Sequence, residues 1–290
     1  MKSIDSFVAL RDSIRAQLFE DSENAIQNIV SSLAWNDSIY RTFNEGLRLS
    51  RTRPAHERIP KSLVDYFHRA HLAYVVMALR KLYDDKKQGA RAVNSLRTIT
   101  QQIVDNLHVF TRENYVTYDG TPYEESRDLH WKIVATVSGR HHQFDLLCSR
   151  NVDAPRKRTD KVDSNIPSAI HRGTVLRPEI ELFANKFLAH SAAEKNRPDE
   201  EYAFKGLTLN KIQLQYRNAI WASQQIGRFL SEPILTEVPT PKFDVLDQWE
   251  KGLFDKSIKK RLLTYWYDRM NWWRNWTGHY WSYDRLFLHP

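Results

Sequence analysis

The stretch from Ser62 to Asp85, SLVDYFHRAHLAYVVMALRKLYDD, contains neither glycine nor proline. With nothing to interrupt the backbone and apolar residues at helical spacing, it predicts one long amphipathic helix. Ser62 is placed to cap it, with Asp65 three residues on, and Leu63, Phe67, Ala70, Tyr74, Met77 and Leu82 mark a broad apolar face. Arg80 and Asp84 are spaced to pair one turn apart. A helix of this length and pattern needs other elements to cover it, which makes the rest of the chain a search for partners.

Those partners have the same character. Nine glycines and eleven prolines in 290 residues are too few for a turn-rich all-β fold, and 41% apolar residues supply a core, so the expected class is mostly α. Residues 4–33 read as one helix and YRTFNEGLRLS, from Tyr40, as a shorter one. After the loop DKKQGARAV, Asn94 or Ser95 can cap a helix carrying Leu96, Ile99, Ile103 and Leu107. In NYVTYDGTPYEE the helical pattern breaks, and Asp119-Gly120 suits a tight hairpin turn in a small non-helical excursion. Helical pattern returns over 126–148, again from Pro178 to about Glu194, and once more after Thr208.

Pro233, Pro239 and Pro241 mark a boundary, giving an expected bundle over 1–234 and a helical, aromatic-rich extension over 235–290. That extension holds Trp266, Trp272, Trp273, Trp276 and Trp281. As a helix it lines Leu262, Trp266, Met270 or Trp273, and Trp276 or Thr277 along one side, a stripe to be buried against the bundle or a second copy. A single cysteine, Cys148, rules out an intramolecular disulfide framework or a cysteine-based zinc cluster, and adjacent His141 and His142 diverge too far on a helix to share one ion. No metal and no cofactor are expected. No window approaches eighteen uninterrupted apolar residues, and the start MKSIDSFVALRDSIR has no apolar leader core, so a cytoplasmic protein without a membrane span is expected.

The net charge of +8 suits an anionic partner. Arg156, Lys157, Arg158 and Lys161 lie in a loop without apolar anchors, expected to be mobile and able to contact phosphates. Arg48, Arg51, Arg53 and Arg58 form a second basic group. In FANKFLAHSAAEKNRP, Asn185, Lys186 and His190 fall on one helix, with Lys186 and His190 four apart and on the same side.

Taken in order, ALRKLYDD, NSLRTI, ANKFLAH and the LTL-initiated helix resemble the HEPN superfamily, specifically its abortive-infection-like branch, over roughly residues 20–231. The resemblance implies a helical bundle that commonly dimerises and, in many members, a metal-independent RNA endonuclease in phage defence or a toxin–antitoxin system. It assigns His190 to proton transfer, Lys186 to stabilising phosphate charge and Asn185 to orienting the site. RNA, a second copy, and a cognate antitoxin or defence partner are the implied partners. The branch motif reads arginine, then Asn or Asp, then Lys, with Ala-His following; here the arginine position is Ala184. Cleavage through the RNA 2'-hydroxyl needs a proton carrier and a cation at the developing phosphate charge, and Ala184 removes the usual cation. A catalytically silent RNA- or protein-binding module is therefore the competing expectation.

Overall fold

A computed structural model of the chain describes residues 3–20, 24–52, 59–85, 94–123, 137–148, 155–188, 207–232 and 256–278. The helices, in chain order, are α1 (Ser3–Phe19), α2 (Ile26–Leu49), α3 (Lys61–Tyr83), α4 (Leu96–Asp105), α5 (Arg112–Thr117), α6 (Val137–Leu147), α7 (Asn165–Gly173) and α8 (Pro178–Phe183). A π-helical turn, Ala184–Leu188, continues α8 directly, and α9 (Leu209–Phe229) and α10 (Lys256–Gly278) follow. Among the described residues there is no strand; the single extended pairing is an isolated bridge between Thr111 and Lys161. The chain is a mostly α helical bundle.

Local chemistry accounts for several boundaries. Ser95 and Thr98 satisfy each other's backbone N–H groups in a capping box that starts α4. Thr208 accepts from the Lys211 N–H to start α9, and Pro178 occupies the first position of α8, where its missing N–H costs nothing. Two expectations change. The break expected after residue 33 falls instead between α1 and α2. The polar run at 36–38 stays helical with its side chains satisfied within the helix: Asn36 and Ser38 donate to carbonyls four residues back and Asp37 pairs with Arg41. The hairpin expected at Asp119-Gly120 is replaced by the short helix α5 and a turn. Gly120 adopts φ +84, and the Asp119 carboxylate accepts from the Thr121 N–H and binds Arg140.

The chain divides into two compact units, 1–30 with 76–235 and 31–75 with 236–290, so that the division falls within α2 and α3. In the first unit α4 packs on α7, α5 on α6, and α9 on α4, α6 and α7. Its center is aromatic: Phe110 meets Phe7 and Phe229 edge-on at 5.3 and 5.7 Å, and Tyr115 lies 5.2 Å from Phe144. Burying each such ring contributes about 1.5–3 kcal/mol. Arg11 ties α1 to the end of α9 through the Leu230 carbonyl and the Glu232 carboxylate.

The second unit is built on Phe43, Ile258 and Leu262, with Trp35 edge-on to Trp266 at 5.4 Å. Leu262, Trp266 and Met270, the expected stripe, are the buried side of α10. The side chains of Trp273, Trp276 and Thr277, and all of Trp281, lie outside the described residues.

On α3 most of the expected apolar face is not the buried one. Of its members Leu82 is buried, but Phe67 is 39%, Tyr74 41% and Met77 37% exposed, and the covered side is made by Val75, Val76, Leu79 and Tyr83 with Leu82. The helix carries apolar residues around most of its circumference, and only packing selects the side to cover.

Candidate functional site

The helix carrying Asn185 and Lys186 starts predictably and winds unexpectedly. Pro178 opens α8, Ile180 and Phe183 point into the core, and Glu179 is held by the Lys211 ammonium at 2.7 Å, which keeps its carboxyl below the ordinary range. At Ala184 the winding widens to π, with Phe183 and Phe187 stacked at 5.2 Å across the junction. A π turn places the residues within it differently round the axis than α winding does. Ala184 has 0% exposure. Asn185 and Lys186 are half-buried, and their side chains make no hydrogen bond or ion pair with other described residues. His190 and Ala189 lie outside the described residues, as does the remainder of the expected helix to Glu194.

The basic loop is held rather than mobile across its described part, 155–163. The Arg112 and Glu113 N–H groups donate to the Asp160 and Arg158 carbonyls, and the Asp163 N–H donates to the Leu147 carbonyl. Of the four cations assigned to RNA, two are engaged. Arg156 binds the Asp145 carboxylate at 2.7 Å, and Arg158 pairs with Glu113 at 3.1 Å while lying over the Tyr123 ring. Lys157 and Lys161 are exposed. Sequence reasoning missed this because the carboxylates that recruit the arginines come from α5 and α6. In the second basic group Arg48 is paired with Glu45, and Arg53 and Arg58 lie outside the described residues.

A cleft of about 310 Å³ opens in the first unit where α3 ends and α4 begins. Its polar lining is Arg80, Asp84, Asp85, Arg97 and Glu181, with Tyr83 and the loop at 175–176 completing the wall. The loop is fixed: Arg97 donates to the Thr174 carbonyl at 3.3 Å and Gln215 to the Val175 carbonyl at 3.1 Å. Ser95 Oγ donates to the Asp84 carbonyl, clamping the α3–α4 junction. Tyr83 is buried with its hydroxyl donating to the Gln215 carbonyl at 3.0 Å, and burial raises its pKa far above the ordinary phenol value. The Arg80–Asp84 pair expected from spacing does not form. The Arg80 guanidinium makes no ion pair or hydrogen bond among the described residues and faces the cleft instead. Spacing permits an i,i+4 pair without requiring it.

His141 is fully buried and edge-on to Tyr123 at 5.0 Å. Among the described residues no group of histidine, cysteine or carboxylate side chains is arranged to hold a metal ion, and no helix is long and apolar enough to cross a membrane. Comparison of the chain with family models, curated proteins and solved structures finds no match.

Proposed function

We propose that this chain is a HEPN-like helical protein that engages RNA without cutting it. Ala184 carries the reading. Where the resemblance calls for a cation facing a phosphate, this chain has a methyl group enclosed by the core. A guanidinium introduced there would be a buried charge without a partner, which the fold resists. Lys186 supplies charge two residues on, but as a point charge without the bidentate fork of arginine. The net charge of +8, with Lys157 and Lys161 exposed, supports attraction to a phosphate backbone. In this reading the protein works in the cytoplasm as a homodimer beside a cognate antitoxin or defence partner.

The test uses the full chain and single-stranded RNA in EDTA. The expected outcome is retention that weakens steeply with salt and leaves the RNA intact. Cleavage giving cyclic phosphate ends, and abolished by His190→Ala, overturns the proposal.

One observation favours a second reading, the metal-independent RNA endonuclease with His190, Lys186 and Asn185 as its working groups. Arg80 lines a cleft with Glu181, three residues before Ala184 on the same helix, and has no counter-ion among the described residues. On that reading Arg80 replaces the missing arginine. Both His190→Ala and Arg80→Ala then lower the cleavage rate by a factor on the order of 10².

A further inference from the structure

The cleft at the α3–α4 junction has a charge arrangement that selects its occupant. Among the described residues two arginines and three carboxylates line the cleft, so neither a simple anion nor a simple cation is matched by them: a phosphate would meet Asp84, Asp85 and Glu181, and an amine would meet Arg80 and Arg97. The groups are also unequally committed. Arg97 is spent on the Thr174 carbonyl and stands 3.8 Å from Asp85, while the side chains of Arg80 and Glu181 have no hydrogen bond or ion pair among the described residues. One uncommitted cation and one uncommitted carboxylate on different helices, opening on the same preformed space, are the complement of a molecule carrying one charge of each sign.

We infer that this cleft binds a small zwitterion with the chemistry of a free amino acid. The ligand carboxylate pairs with Arg80 and its cationic nitrogen faces Glu181 and Asp85. The volume agrees, lying at the lower end of the roughly 300–1,000 Å³ that accommodates drug-sized ligands. The rigid 174–176 loop and the clamp from Ser95 to Asp84 mean that little ordering is needed on binding. Tyr83 offers ring surface only, since its hydroxyl is already bonded to Gln215. The inference stands with the non-cutting reading and is independent of where RNA is held; the endonuclease reading would commit Arg80 to phosphate instead.

The experiment is a titration of the full protein at low salt, followed by amide chemical shifts, with L-alanine as probe and acetate and ethylammonium as single-charge controls. L-alanine is expected to shift resonances around 80–85, 97 and 181 saturably, and neither control does so. Arg80→Gln and Glu181→Gln each weaken binding about tenfold or more, and Arg80→Lys restores part of it. Because neither side chain is buried, unchanged melting temperatures distinguish a lost ligand contact from a lost fold. Absence of any saturable shift, equal response to acetate alone, or unchanged affinity in Arg80→Gln overturns the assignment.

Discussion

The two units bury ionic groups with opposite arithmetic. In the first, a fully buried cation is shared by two carboxylates, one of which also holds the more accessible Arg156. Arg112 is 0% exposed and binds Asp145 at 2.7 Å and Asp160 at 2.9 Å, with a further bond to the His141 carbonyl and the Phe144 ring 5.0 Å away. In the second, one carboxylate is shared by two cations. Asp37 is 2% exposed between Arg41 at 3.0 Å and Arg269 at 2.8 Å, and Arg269 lies over Trp272. Both join segments far apart in sequence: α5 to α6 and the 155–163 loop in one case, α2 to α10 in the other. Breaking them is not equivalent, because the central group in each is the one without access to water. A stranded Arg112 has nowhere to go, whereas the arginines around Asp37 keep partial exposure and long stems that reach solvent.

That asymmetry orders the expected effects. Asp145→Asn with Asp160→Asn leaves Arg112 buried without a counter-charge and is expected to cost roughly 3–5 kcal/mol, measured by urea unfolding. Asp37→Asn should cost less, about 2–3 kcal/mol, since Arg41 and Arg269 can turn outward. Equal losses in the two variants would break the comparison.

The third effect is pH-dependent and belongs to the second unit. His71 is buried and stacked on Tyr40 at 3.8 Å. Burial lowers its pKa to about 4 despite the opposing charge of Asp37, while Arg41 and His68 add to the lowering. The folded state therefore favours neutral imidazole. Its contribution is complete above the ordinary value near 6.5 and is lost progressively as pH falls toward 4. About 2 kcal/mol should be lost between pH 6.5 and 5, as unfolding free energies at the two values would show. His71→Phe, which keeps a stacking ring, should flatten that slope; an unchanged slope assigns it to other groups. The smallest effect is expected from Arg158→Ala. Its ion pair with Glu113 is exposed, so the change in stability should stay within about 0.5 kcal/mol.

These networks show where sequence reading stops. Trp266 and Leu262 are four apart on a helix, and their shared burial follows from that spacing. Ser95, Pro178 and Thr208 mark helix starts because capping is settled within a few residues. Arg156 reads as an RNA-facing cation until Asp145 arrives from α6, and Arg80 reads as half of an i,i+4 pair until the cleft opens beside it. Phe67 and Tyr74 look like core residues on a helix that is apolar nearly all round.

What the sequence alone determined was local in origin: a helical class from uninterrupted periodic stretches, several caps, and the buried stripe of α10. Periodicity and capping act over one or two turns, so neighbouring residues suffice to specify them. The tertiary structure decided which face of α3 is covered, which cations are already neutralised, that Ala184 is enclosed, and that α8 passes into a π turn. Each of those depends on which distant segment supplies the opposing surface or charge, and burial makes that choice energetically decisive.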